Sequence, residues 1–166
     1  PCRTDVEHIF AIGDVTGSPM LAHRATRHGH IAAEVASGHA AALDSDLIPS
    51  VAYTDPELAW VGLGEDQARE RGIVFDSASF PWAGSGRNLA SGGGEGLTKL
   101  IFDPETHRLL GASLIGRNAG ELIAEAVLAV EMNATLEDLA LTIHAHPTLS
   151  ETISFAAERA LGTLTD

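Results

Sequence analysis

In HAHPTLSE, residues 144–151, two histidines, a proline, a threonine and a glutamate stand within one short stretch. A histidine titrates near neutral pH. A carboxylate hydrogen-bonded to one of its ring nitrogens fixes the tautomer and supports the protonated form, as a group exchanging protons with a thiol requires. On that reading His146 is a general acid–base and Glu151, one turn inside a following helix, is its partner. The same residues also spell a helix start. Thr148 and Glu151 match T-x-x-E, a capping box in which Thr148 is the N-cap and Glu151 reaches back to the Thr148 backbone N–H. Pro147 biases His146 toward an extended conformation just ahead of that helix. Both histidines are then loop residues without a task.

A third reading is metal binding. His144 and His146 at i and i+2 of an extended segment point the same way, and HxHxxxxE resembles the first metal motif of cupin barrels, where two His and one Glu ligate one ion. No second motif with a later histidine follows, and the residues after Glu151 carry helical patterning. No metal ligand is assigned on this basis, and the octet alone leaves the three readings open.

The other stretches that suggest chemistry are weaker. GSGRNLASGGGEGL, residues 84–97, lacks G-x-x-x-x-G-K-[ST] and precedes a strand, so it reads as a mobile loop rather than a phosphate cradle. Cys2 is the single cysteine, which excludes an intrachain disulfide and any CxxC site and fits a reducing cytoplasm. Ten Lys plus Arg against 23 Asp plus Glu leave a net charge of −13, which argues against nucleic acid and anionic membrane surfaces as partners. No apolar run is long enough to span a bilayer. The chain opens PCRTDVEHIF, without an initiator Met or an apolar signal core, and so reads as a piece of something longer.

The elements that must position the octet follow from pattern. Residues 7–15, EHIFAIGDV, read as a short buried strand ended by Gly13-Asp14. After TGSP, an amphipathic helix with Leu21, Ala25, His28, Ile31, Ala32 and Val35 on one stripe runs to Gly38. LDSDLIPS reads as a linker, placing a domain boundary near residue 45. Beyond it, VAYT and LAWVGL read as strands, EDQARERG as a charged surface helix, and IVFDSASFPW, GLTKLIFD and LLGASLIG as three more strands. DPETHR should close a hairpin between the last two. AGELIAEAVLAVEMN, with Leu122, Ile123, Ala126, Val127 and Val130 as an apolar stripe, reads as the helix covering the sheet; TLEDLALT and TLSETISFAAERAL complete the helical part. Strands first and helices last give an α+β class, an antiparallel sheet flanked by helices.

Four separated stretches then agree in order with one family: IFAIGDVTGSPMLAHRA, YTDPELAWVGL, GLTKLIFDPETHRLLGASLIGRNAGELI and HAHPTLSET. Over essentially all of its length the chain resembles the C-terminal part of the pyridine nucleotide-disulfide oxidoreductases, and within them the branch that oxidises dihydrolipoamide. The resemblance implies a parent flavoenzyme using FAD and NAD, in which residues 1–45 are the end of the FAD-binding domain and residues 46–166 the interface domain of a homodimer. It implies FAD contacts from Asp14, whose carboxylate meets the ribityl chain, and from Met20, Leu21, Ala22 and His23 against the flavin ring. It makes His146 the acid–base and Glu151 its orienting partner, acting on the redox disulfide and flavin of the opposite subunit. A lipoyl domain of a 2-oxoacid dehydrogenase complex is the implied partner. The FAD-binding GxGxxG, the CxxxxC redox pair and the NAD domain are missing from the sequence, so the chain alone is expected to be inactive. The rival expectation is a dimerisation module with no chemistry of its own.

Overall fold

The computed structural model describes residues 2–43 and 47–165. The chain divides into two compact units, Pro1–Ile48 and Pro49–Asp166. The boundary expected near residue 45 lies outside the described residues.

In the first unit a 3-10 turn, Gly13–Thr16, leads into helix α1, Ala22–Ala36. Of the stripe read from the sequence, His28 and Ile31 are the buried members. The strand expected over residues 7–15 is absent: Phe10 makes an isolated antiparallel bridge with Arg3, and Ile9 and Ile12 stay 48% and 42% exposed. A strand needs a neighbour to saturate its backbone, and one bridge does not extend into a ladder.

The second unit holds five strands, β1 (Ser50–Ala52), β2 (Leu58–Gly62), β3 (Asp76–Pro81), β4 (Leu97–Phe102) and β5 (Leu109–Ile115). They form one antiparallel sheet in the order β1-β2-β5-β4-β3. The α+β class and the antiparallel sheet expected from pattern are therefore the observed ones. β3, β4 and β5 make the expected meander. Asp103 Oδ1 accepts the N–H groups of Glu105 and Thr106, each at 2.8 Å, and so closes the β4–β5 turn. The helix α2, Glu65–Glu70, carries the chain from β2 to the far edge, so β2 pairs with β5 and not with β3.

Alternation sorts the side chains. Ala59, Leu114, Thr98 and Phe80 stand opposite one another across four strands, and all are buried. Lys99, on the other face, reaches Glu65 of α2 at 2.8 Å. Residues 82–84 form a 3-10 turn and Gly86–Ala90 a short helix, α3, whose N-cap Ser85 accepts the Asn88 N–H. The glycine-rich stretch is thus partly helical, and Asn88 Nδ2 donates to the Gly94 carbonyl to fold back its remainder. Three helices follow: α4 (Ala119–Glu131), α5 (Leu136–Leu141) and α6 (Glu151–Leu161). Helix α4 packs on β2 and β5, and α6 packs on β3 and β4 with Ile153, Ala156 and Ala157 fully buried. Among the described residues no helix is long and apolar enough to cross a membrane.

Candidate functional site

His146 Nδ1 lies 2.8 Å from Glu151 Oε1. An ionised carboxylate only accepts, so Nδ1 carries the hydrogen and Nε2 keeps the lone pair in the neutral ring. The imidazole is 75% exposed while the Glu151 side chain is only 12% exposed. The pair therefore joins an accessible base to a shielded anion.

Glu151 is the first residue of α6, and it serves two donors. Its Oε2 accepts the Thr148 N–H at 2.7 Å while Oε1 faces His146. One carboxylate thus makes both the backbone contact of a capping box and the contact to the imidazole. The reciprocal half of the box is not formed, because Thr148 Oγ1 donates to the Ala145 carbonyl at 2.7 Å and the N-cap of α6 is Ser150, not Thr148. Burial raises the Glu151 carboxyl, but the Thr148 N–H and the His146 ring together outweigh it and hold the group below the ordinary glutamate value.

His144 does not join this pair. Its Nε2 meets Glu125 Oε1 of α4 at 2.6 Å and its Nδ1 meets the Thr142 carbonyl at 2.9 Å, with the side chain 7% exposed. It ties the segment ahead of α6 to a different helix. The two histidines of HxHxxxxE therefore turn to separate carboxylates, and the described residues include no group of three or more His, Cys, Asp or Glu placed to hold a metal.

Two contributors were invisible to spacing. Glu125 sits 19 positions before His144 on another helix. Gly86, at the start of α3, has no side chain where an added Cβ would come within 4.0 Å of His146 Cε1, so the ring lies beside its backbone. Only tertiary contact brings either to the octet.

In the first unit Asp14 lies exposed on the 3-10 turn next to buried Gly13. Gly13 has φ +69, and an added Cβ would sit 3.1 Å from that of Ala25. Met20 is 67% exposed, Leu21 is the N-cap of α1 with no side-chain cap, and Ala22 and His23 are its first residues. Arg24, unnoticed in the sequence, clamps the turn by donating to the carbonyls of Gly17 (2.7 Å) and Pro19 (3.1 Å) and to Thr16 Oγ1 (3.1 Å).

Comparison with known proteins gives this geometry a context. Residues 48–157 match the family model described as pyridine nucleotide-disulphide oxidoreductase, dimerisation domain. A dihydrolipoyl dehydrogenase of Vibrio cholerae is 57% identical over 164 residues, and one of Haemophilus influenzae 54%. Each match covers 99% of this chain and 34% of the relative, so the chain spans about a third of the relatives' length. Among solved structures, LpdA of Mycobacterium tuberculosis superposes with a TM-score of 0.87 at 29% identity, over 95% of this chain and 35% of that one. The flavoprotein disulfide reductase RclA of Escherichia coli gives 0.86 at 28%, over 95% and 37%. With its antiparallel sheet, its flanking helices and the matched stretch between residues 48 and 157, this chain belongs to the pyridine nucleotide-disulphide oxidoreductase family, whose dimerisation domain it contains.

Proposed function

We propose that the chain is the C-terminal portion of a dihydrolipoyl dehydrogenase, a flavoenzyme that oxidises dihydrolipoamide with NAD, and that it supplies the His146–Glu151 acid–base pair and the dimer interface. The observation that carries this reading is the 2.8 Å hydrogen bond from His146 to the largely buried Glu151 carboxylate, in a chain 57% identical to a protein of that name. The lone-pair Nε2 takes the proton of a substrate thiol as its sulfur attacks the redox disulfide. The disulfide bond breaks, one cysteine leaves as thiolate, and Glu151 stabilises the imidazolium that results. The disulfide and the NAD site belong to parts of the parent beyond this chain.

Residues of the first unit fit a flavin. Asp14 offers an exposed carboxylate to a hydroxylated chain, the buried Gly13 seats the turn against Ala25, and α1 starts at Leu21, Ala22 and His23 with no side-chain cap at its N-terminus. Ile12, Val15 and Met20 add exposed apolar surface. These residues would hold FAD, which supplies the route for electrons from the reduced cysteine pair to NAD. Residues 1–45 are then the end of an FAD-binding domain and residues 46–166 the interface domain.

A homodimer is supported by apolar surface on the second unit. Leu128 on α4 and Met132 at its C-cap are 62% and 70% exposed, and Leu141, the last residue of α5, and Ile143 beyond it are 81% and 97% exposed. Apolar side chains gathered on one surface are the kind of feature that a partner covers. In such a dimer His146 of one subunit serves the disulfide and flavin of the other. A lipoyl domain as substrate carrier and a cytoplasmic location belong to the same reading, the latter supported by the lone cysteine, Cys2.

The test is His146→Ala in the full-length protein, purified with its mass and flavin absorbance recorded. The variant should lose most dihydrolipoamide oxidation and remain a yellow dimer. Wild-type turnover in that variant would remove His146 from the chemistry. A parent that carries no flavin would sink the whole reading and leave an assembly module.

A further inference from the structure

Position 98 is anomalous. In the buried row that crosses the sheet, its neighbours are Ala59, Leu114 and Phe80, yet residue 98 is a threonine with no exposed surface. A second fully buried threonine, Thr152, faces it from α6, with 2.8 Å between the hydroxyl oxygens. Buried hydroxyls cost stability unless they are hydrogen-bonded, and valines of the same shape would fill both sites.

The chain of contacts has a fixed direction. Trp82 Nε1 can only donate, and it gives its hydrogen to Thr98 Oγ1 at 2.9 Å. The Leu149 carbonyl can only accept, and it takes the Thr152 hydroxyl at 2.7 Å. The Thr98 hydroxyl must therefore donate to Thr152. Every polar atom in the series is satisfied, and every hydrogen points toward Leu149.

Both ends of this series bear on the His146–Glu151 pair. Leu149 and Thr152 flank Glu151 in sequence, and the Leu149 carbonyl also accepts the Thr152 N–H at 3.1 Å, so the turn that carries Glu151 is tied to strand β4. At the other end the indole is clamped. A Cβ added at Gly96 or Gly116 would come within 2.4 Å or 2.2 Å of its ring, so backbone lies directly against it. The Ser85 N–H donates to the Trp82 carbonyl at 2.9 Å, and Gly86, the next residue, lies beside the His146 ring. Trp82 thus braces the carboxylate through the hydroxyl chain and the imidazole through the 82–86 turn.

We infer that the directed chain Trp82–Thr98–Thr152–Leu149 is a positioning device for the His146–Glu151 pair, with Thr152 as the positioning residue that sets where α6 begins. The inference rests on the acid–base reading above. A displacement of Glu151 by a fraction of an ångström turns its carboxylate away from Nδ1 while the fold persists, because neither threonine is needed to fill space.

The test uses the full-length flavoenzyme, with Thr152→Val and Thr152→Ser beside His146→Ala and Glu151→Gln. Thr152→Val should lower kcat by about 10- to 100-fold with little change in KM. Its pH–rate profile should be displaced in the same direction as that of Glu151→Gln, and Thr152→Ser should restore both. The triple variant Trp82→Phe/Thr98→Val/Thr152→Val leaves no orphaned donor and should bind flavin and dimerise normally while showing the same kinetic loss, which keeps the test open should Thr152→Val not fold. Wild-type kcat and pH profile in Thr152→Val or in the triple variant would overturn the inference, and so would a kcat loss without displacement of the profile. Failure of the underlying reading is seen separately, as turnover surviving in His146→Ala.

Discussion

Glu151 Oε1 and His146 Nδ1 stand 2.8 Å apart while the other oxygen of the same carboxylate holds the Thr148 N–H. One side chain thus fixes both the imidazole tautomer and the entry to the helix from which it acts.

Glu151→Gln separates those two duties. The amide oxygen can still accept the Thr148 N–H, so α6 should start where it does now, but the amide cannot stabilise an imidazolium as a carboxylate does. On the function proposed above, dihydrolipoamide oxidation by the full-length protein should fall by about 10²- to 10³-fold, with flavin content and dimer mass unchanged. Steady-state kinetics beside absorbance and sedimentation check it.

The same carboxylate predicts a pH dependence. Its native pKa lies below the unfolded value. It therefore contributes stability above the unfolded value of about 4.3, and that contribution is lost as pH falls through the ordinary carboxylate range to the native value. Urea denaturation between about pH 7 and pH 3 should show stability declining on the acid side, and Glu151→Gln should flatten part of that decline.

Glu65 should matter to stability and not to catalysis. It accepts from Lys99 (2.8 Å) across to β4, from Arg69 (2.9 Å) on its own helix and from Ser77 (3.3 Å) on β3. The Lys99 contact, followed by that of Arg69, holds its carboxyl below the ordinary value. Glu65→Gln should cost about 1 kcal/mol, a typical magnitude for a partly exposed ionic cluster, read as a lower urea midpoint with kcat unchanged.

The clamp on Trp82 makes Gly96 intolerant of a methyl group. An added Cβ would fall 2.4 Å from the indole. Gly96→Ala should destabilise by about 3 kcal/mol through forced displacement of a fully buried ring, whereas Gly92→Ala, where nothing lies within 4 Å but φ is +98, should cost about 1 kcal/mol from backbone strain alone. Thermal unfolding of the two variants compares them.

Apolar exposure on α4 gives the assembly prediction. Leu128→Asp combined with Met132→Asp places two charges on surface that is 62% and 70% exposed in the single chain. The monomer fold should survive, and dimer affinity should fall at least tenfold, about 1.4 kcal/mol, by sedimentation velocity.

The amino-acid sequence alone determined most element types of the second unit, the exception being the glycine-rich stretch, read as a loop, where Gly86–Ala90 form a short helix. Short apolar runs such as LAWVG and LTKLIF, the Asp103 turn and the apolar stripe of AGELIAEAVLAVE are local signals, and each produced the element it implied. It also placed His146 and Glu151 within reach of each other, because five positions across a helix start is a local distance. It misjudged residues 7–15, where an apolar run satisfies strand patterning but only the fold determines whether a neighbour exists to pair with it. The tertiary structure alone decided the rest. The pairing of β2 with β5, the turn of His144 toward Glu125, the glycines pressed on Trp82 and the hydroxyl chain from β4 to α6 all join residues far apart in the chain. Spacing carries no information about such contacts, since the packing of helices on a sheet, rather than any local rule, sets which side chains meet.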